Sequence, residues 1–233
     1  MSSVTSTQTT PSSVQSRVAV DVRNLGKVYG EHRVLNDVSF TIGAGQMFAV
    51  TGPSGSGKST LLNILGLLES PGSGGVLLNG SPSPRPRTRA ANRFIRYHLG
   101  YLFQNYALID HESVESNLRI ALTYADTEGR AKADLISEAL ASVGLPGFES
   151  RKVYTLSGGE QQRTAIARLL LKPCDIILAD EPTGSLDSAN RDAVLDLLKE
   201  LRDRGKTIVV ASHDETVIGA CSGTVDLQPY AAR

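Results

Sequence analysis

The chain has 233 residues, no tryptophan, two cysteines and two methionines, and aromatic residues make up only 5% of it. Cys174 and Cys221 cannot form a disulfide framework, which excludes the small stapled secreted scaffolds and fits reduced thiols in a cytosolic protein. Together with His32, His98, His111 and His213 they show no zinc-like spacing. The formal net charge is 0 and the pI about 6.9, so no global field recruits a polyanion and no nucleic-acid partner is expected. No apolar run approaches the roughly 18 residues that a membrane-spanning helix needs. The longest, at 61–68, is interrupted by Asn63. Sustained heptads and internal repeats are absent too, which argues against a long coiled-coil insertion. Residues 1–17 are rich in Ser, Thr and Gln and have no apolar core of the signal-peptide type. They read as a disordered tail, because too little apolar surface is present to offset the entropy of ordering.

What the chain does have begins at Gly52-Pro53-Ser54-Gly55-Ser56-Gly57-Lys58-Ser59-Thr60. An apolar strand, 47–50, precedes this glycine-rich stretch and a helix former, 61–68, follows it. Strand, glycine turn and helix is the context that gives the pattern G-x-x-x-x-G-K-[ST] its meaning. Glycines let backbone N–H groups turn inward as an anion nest, and the helix start adds partial positive charge. Lys58 then reaches the β- and γ-phosphates of a nucleotide, and the Ser59 hydroxyl ligates Mg²⁺.

Periodicity organises the rest. Strands are expected at 18–22, 38–42, 76–78, 99–103, 175–180 and 207–211, and a proline-rich loop at 81–86. Helical patterns run from 114 to about 143. An amphipathic helix is expected over 187–204, with Val194, Leu197, Leu198 and Leu201 as its apolar stripe. Strands alternate with helices at both ends of the chain and a mostly helical block, 104–157, lies between. The fold class is therefore α/β, with a mostly parallel sheet covered by helices. Ligands of such sheets bind beyond the carboxyl ends of strands.

Two further constellations carry chemistry. Asp180 ends an apolar strand and suits a Mg²⁺ partner, while Glu181 just beyond it suits a general base. On an extended chain the two point opposite ways, one to the metal and one to the water. Leu156-Ser157-Gly158-Gly159-Glu160 opens another helix, which ends before Pro173. Ser157 and Glu160 form a capping box there. Two glycines inside a helix start are costly, so they suggest close approach to a ligand at a second phosphate-binding helix start.

These residues, in this order, resemble the ATP-binding subunit of an ABC transporter from about Val18 to Leu227. Residues 52–60 match Walker A, 156–160 the family signature, 176–181 Walker B with its glutamate, Gln104 the Q-loop, Ser185-Leu186-Asp187 the D-loop and His213 the switch histidine. The resemblance implies a P-loop NTPase cassette with a parallel core, an antiparallel β part and a helical subdomain at roughly 104–157 and the start of the following helix, all within a domain at 18–233. It implies that Tyr29 stacks on adenine, that Gln104 touches Mg²⁺ and the attacking water, and that His213 bonds the γ-phosphate and positions Glu181. Asp187 takes the D-loop role at a dimer interface and also caps the helix after it. Two copies are expected to dock head to tail, with Ser157, Gly158, Gly159 and Glu160 of one closing on the nucleotide held by Lys58 of the other. ATP and Mg²⁺ are the implied ligands, and ATP hydrolysis coupled to transport the implied activity.

The wording of the motifs resembles the lipoprotein-release and macrolide-export branch, and most closely the lactococcin-type bacteriocin export ATPases. The expected partner is a separately encoded integral membrane permease, with the cassette peripheral on the cytoplasmic face. The expected cargo is a peptide, bacteriocin, lipoprotein or drug. An ATP-dependent regulator of a membrane protein in cell-envelope or division processes is the alternative. The basic stretch with Arg85, Arg87, Arg89, Arg93 and Arg96 reads first as a solvated face, and second as a contact for anionic headgroups or an acidic permease loop.

Overall fold

A computed structural model of the chain describes residues 17–184 and 186–228. The tail expected at 1–17 falls outside these except for Arg17, whose carbonyl accepts a hydrogen bond from the Ala44 N–H at 2.7 Å. Ser185 of the expected D-loop also falls outside. Strands β1 (Val18–Tyr29) and β2 (His32–Gly43) pair antiparallel. They are longer than the alternation at 18–22 and 38–42 predicts. The register shifts between Val22 and Leu25, where Asn24 has a φ of +47°. That bulge moves the buried phase from Val20 and Val22 to Leu25, so a strict period of two stops at Val22.

Strand β3 (Met47–Thr51) starts a second sheet, and helix α1 (Lys58–Leu65) follows it. Strands β4 (Ser73–Leu78) and β5 (Ser81–Pro82) complete the first sheet in the order β2-β1-β4-β5. Helix α2 (Arg89–Tyr97) comes next, in a stretch that sequence alone assigns to a surface face. Its apolar residues, Ala91, Phe94 and Ile95, keep helical spacing, but three arginines among nine residues mask the pattern. After β6 (Leu99–Leu102) the helical block contains α3 (Val114–Ala121) and α4 (Lys132–Ser142), separate helices rather than one run, and leads into α5 (Gly158–Leu171). The chain returns to the second sheet with β7 (Ile176–Asp180), α6 (Ser188–Asp203), β8 (Thr207–Ala211), α7 (Glu215–Gly219) and β9 (Gly223–Asp226).

The second sheet is parallel throughout, in the order β6-β7-β8-β3-β9. Both its faces are covered, so its strands read as continuous apolar runs. Alternate residues sort to opposite sides. Met47, Ala49, Ile177, Ala179, Ile208 and Val210 pack toward the helical side with Leu118, Ile136 and Val194. Phe48, Val50, Ile176, Leu178, Val209 and Ala211 pack with Leu61, Leu62 and Leu65 of α1 and with Val20, Leu25 and Val76 of the antiparallel sheet.

On α6 the buried residues are Val194, Leu195, Leu198 and Leu201, whereas Leu197 is only partly buried at the edge of that arc. Leu195→Ala should therefore lower the unfolding free energy by about 2–5 kcal/mol, and Leu197→Ala by clearly less. Urea unfolding of the two variants measures the difference, and equal losses would mean that a different face of the helix is buried.

Candidate active site

Parallel pairing of β3, β8, β7 and β6 puts their carboxyl ends on one edge. Val50 and Asp180 both pair with Ala211 of the strand between them. The glycine-rich loop leaves β3, Gln104 follows β6, Asp180 ends β7 and His213 follows β8. A cleft of about 550 Å³ opens at this edge, lined by Ser54, Gly55, Gly57, Lys58, Ser59, Thr60, Gln104, Asp180, Glu181 and His213. His32, Val34 and Gly184 line it as well. Sequence reasoning did not find His32 or Val34, because β2 reaches the cleft only through the tertiary packing of its sheet.

The loop is built for close approach. Gly57 has a φ of +96°, and a Cβ there would lie 2.8 Å from Leu35 and 2.9 Å from Val34, so no side chain fits. Lys58 Nζ donates to the carbonyls of Gly52 at 2.7 Å and Pro53 at 3.1 Å, which folds the ammonium over the loop. Helices α2, α3, α5, α6 and α7 are capped by the side chains of Thr88, Ser113, Ser157, Asp187 and Asp214. Helix α1 has no side-chain cap and no acid in its first turn. Its first N–H groups are left for an anion, where the helix dipole favours one. The buried Ser56 Oγ, inside the loop, has no partner among the described residues.

Glu181 departs from the extended geometry expected of it. Its φ is +44°, in the left-handed region, so the strand ends at Asp180 and the chain turns. Its N–H bonds the Ala211 carbonyl at 2.9 Å, and its carbonyl accepts from Gly184 at 3.2 Å. The turn, rather than alternation along a strand, separates the two acids. A non-glycine residue in this region stores on the order of 1–3 kcal/mol. Oε1 of Glu181 lies 3.0 Å from Nδ1 of His213. Oε2 is buried and has no partner among the described residues. The glutamate is thus oriented through one oxygen, while the other meets no donor among the described residues.

Not every candidate meets at this cleft. Tyr29 ends β1 opposite His32, 44% exposed. Its hydroxyl donates to Glu69, and Lys27 sits over the ring at 5.0 Å. The hydrogen bond from Tyr29 is the largest influence holding the Glu69 carboxyl below its ordinary range. Ser157, Gly158, Gly159 and Glu160 lie outside the cleft lining. The capping box is formed: Glu160 Oε2 accepts from the Ser157 N–H at 2.7 Å and Oγ at 2.8 Å, and these bonds lower the Glu160 pKa. Gly158 is exposed. Gly159 is buried, and a Cβ on it would fall 2.4 Å from Asn190 Oδ1 of α6. Its missing side chain thus makes room for a neighbour within the chain. Asp187 caps α6, accepting from the Asn190 N–H at 2.8 Å and Nδ2 at 2.9 Å, which lowers its pKa.

Helix α5 also braces the other motifs, a role that the motif spacing does not reveal. Gln162 Nε2 donates to the Pro182 carbonyl at 2.6 Å, and Arg163 Nη1 to Asn190 Oδ1 at 2.7 Å. Arg168 donates to the Tyr106 carbonyl at 2.9 Å and the Ala107 carbonyl at 2.5 Å, just after Gln104. Tyr106 and Ala107 both have positive φ, +61° and +48°. Burial pulls the half-buried guanidinium below its ordinary pKa, and no carboxylate pairs with it among the described residues. The signal in the sequence is an arginine set among the apolar residues Ala165, Ile166, Ala167 and Leu169. Arg168→Lys keeps the charge and loses the fork. It should lower the unfolding free energy by roughly 1–2 kcal/mol and raise amide exchange at 104–108. Unchanged exchange there would show that the loop holds itself.

Comparison with known proteins identifies the family. The ABC transporter family matches residues 35–184. The macrolide export ATP-binding/permease protein MacB of Escherichia coli is 39% identical over 217 residues, covering 88% of this chain and 34% of that protein. The probable syringafactin export ATP-binding/permease protein SyfD of Pseudomonas syringae is 39% identical over 194 residues, covering 83% and 30%. The chain therefore spans about a third of the length of these curated relatives. A solved ATP-binding cassette, a dimer in a post-hydrolysis state bound to ADP and Pi, superposes with a TM-score of 0.80 at 35% identity, covering 89% of this chain and 93% of that one. With the family match spanning most of the parallel core and its phosphate loop, the chain belongs to the ABC transporter family, in the ATP-binding cassette of that family.

Proposed function

We propose that this cassette binds and hydrolyses ATP and thereby powers a membrane-spanning permease that exports a peptide, lipoprotein or drug-like cargo. The observation that carries the reading is the single cleft where Lys58, Ser59, Gln104, Asp180, Glu181 and His213 converge, with one Glu181 oxygen buried and without a partner among the described residues. Its volume of about 550 Å³ suits a nucleotide. The solved cassette that the fold matches held ADP and Pi.

The residues have distinct tasks. Lys58 and the N–H groups at the start of α1 hold phosphate charge. Tyr29 lies outside the cleft lining but pairs with His32, which is part of it, and so offers an exposed ring for the adenine. Glu181 Oε2 accepts the proton of the attacking water, and His213 fixes the other oxygen. Among the described residues no three His, Cys, Asp or Glu side chains converge to hold a metal unaided. Ser59, Asp180 and Gln104 suit Mg²⁺, which takes few protein ligands and completes its shell with phosphate oxygens and water. Bound there, it supplies charge neutralisation on the phosphates.

Gly158 and Ser157 open an exposed helix start that takes no part in this cleft. That supports a second copy, each lending its signature helix to the other's nucleotide. A second, largely apolar cleft of about 440 Å³, lined by Leu68, Ile95, Tyr101, Phe103, Ile120 and Tyr124, adjoins the loop after Gln104. It supports docking of a permease segment where nucleotide contact at Gln104 can be transmitted. No helix among the described residues is long and apolar enough to cross a membrane, in keeping with a peripheral position on the cytoplasmic face.

Glu181→Gln should retain ATP, lose turnover by on the order of 10²–10⁴-fold, and accumulate as a dimer with ATP and Mg²⁺ on size exclusion. A variant that stays monomeric and still hydrolyses ATP would refute the reading. Lys58→Ala should weaken nucleotide binding by roughly ten- to a hundredfold in a fluorescent-nucleotide titration. Unchanged affinity would count against the phosphate-loop assignment.

A further inference from the structure

The arginines of α2 and of the loop before it are unexplained by nucleotide chemistry. Arg85, Arg87, Arg89, Arg93 and Arg96 are all exposed. No Asp or Glu occurs between Glu69 and Asp110. Among the described residues no carboxylate pairs with any of the five, whereas Arg23, Arg119, Arg130, Arg191, Arg202 and Arg204 each have at least one. The two acids nearest this surface are engaged: Asp175 lies 2.6 Å from His98, and Glu69 accepts from Tyr29 and pairs with Lys27. Other arginines, such as Arg163 and Arg168, also lack a carboxylate partner among the described residues but bond Asn190 or backbone carbonyls. What sets this stretch apart is five exposed arginines in a run of sequence without an acid.

The placement opposes helix stability. Arg89 is the first residue of α2, which has no acid in its first turn. Positive charge at a helix N-terminus runs against the dipole. Arg89, Arg93 and Arg96 recur at i, i+4 and i+7, so like charges stack along one stripe. On the other side Ala91 is buried, and the Phe94 ring packs on His98 at 4.8 Å. The helix is thereby fixed with its cations outward. Two exposed tyrosines adjoin the stripe: Tyr97 meets Tyr124 edge to face at 6.2 Å, and the Arg96 guanidinium lies over Tyr124 at 4.5 Å. Arg96 and Tyr124 also border the apolar cleft assigned above to a permease segment, so the headgroup contact falls to Arg89, Arg93 and the half-exposed Tyr97, whose charge and amphipathicity match a headgroup layer.

We propose that this face docks directly on anionic phospholipid headgroups, so that the cassette holds a membrane surface through α2 as well as through a permease. The proposal rests on the reading that the cassette works at a membrane. Arg89 and Arg93 of the stripe, with Arg85 and Arg87 in the loop just before it, offer several separate cations, which suits the many phosphates of a lipid surface better than a single acidic segment.

The test is flotation of the purified chain with vesicles of phosphatidylcholine alone or phosphatidylcholine mixed with phosphatidylglycerol. The chain should float with the mixed vesicles only, and added salt should release it. Replacing Arg85, Arg89 and Arg93 together by Gln should lower partitioning by on the order of a hundredfold. A control with Arg119, Arg130 and Arg202 replaced by Gln carries the same charge change and should partition nearly as the parent does. Equal partitioning into both vesicle types, or equal loss in both triple variants, overturns the proposal. So does binding that requires a permease and is absent from mixed vesicles. ATP turnover measured on the same preparations keeps the two readings apart. Intact turnover without flotation sinks only the lipid contact, and absent turnover in the parent chain sinks the function itself.

Discussion

The parallel pairing of four strands is the constraint on which the site depends. β6, β7, β8 and β3 run side by side in one direction, so whatever follows their last residues must share an edge. A phosphate loop, a loop glutamine, an acid pair and a histidine, scattered from Gly52 to His213, become neighbours through backbone hydrogen bonding alone. The central strand of the arrangement, β8, pairs with both β3 and β7. It delivers His213 between the phosphate loop and Glu181. Burial on both faces fixes this register, because a slip of one residue would exchange the residues facing α1 with those facing α5 and α6.

The strand edge supplies positions but not rigidity in the loops beyond it. That comes from α5, the helix opened by Ser157 and Glu160. This helix reaches the turn after Glu181 through Gln162, Asn190 in the first turn of α6 through Arg163, and the loop after Gln104 through Arg168. The contacts meet backbone carbonyls or, at Asn190, a side chain bonded to the Asp187 cap, so a displacement of the helix is felt at three places around the site. The exposed N-terminal end of the same helix, at Ser157 and Gly158, is the part proposed to meet a partner's nucleotide. A helix that both touches a remote ligand and braces local loops is a physical route for coupling, because its turns are covalently continuous and its packing against α3, α4 and α6 is tight.

Much of this was legible in the sequence because glycine spacing and apolar runs are local signals. The phosphate loop could be assigned from residues 47–68 alone. The acid pair followed from the apolar run that β7 forms. The capping box could be read from Ser157 and Glu160. What stayed hidden was set by tertiary packing or by local strain. Helix α2 was obscured because its buried face has only three apolar residues while its outer face is arginine. Leu195 displaced Leu197 from the buried arc of α6, since helix rotation is fixed by neighbours and not by spacing. Gly159 reads as a ligand contact in sequence, yet the structure gives its vacant Cβ space to Asn190. His32 and Val34 reach the cleft only because the antiparallel sheet folds against α1.

The turn at Glu181 shows why geometry adds to a motif. An extended chain would aim Asp180 and Glu181 at opposite faces of the sheet, one of which is filled by packed side chains, so one acid would be lost to the cleft. The positive φ at Glu181 instead keeps both acids among the residues lining the cleft. Strain of this kind persists only where its surroundings over-determine it. Here the bond from Glu181 N–H to Ala211, the turn closed by Gly184, and the Gln162 bond to Pro182 do so. Two of these three anchors use backbone groups and tolerate substitution of their side chains. The third is a side chain of α5. The orientation of the candidate base is thus tied to the helix whose exposed start lies outside the lining of its own cleft, and an event at that start, one turn from Gln162, has a direct mechanical connection to the glutamate.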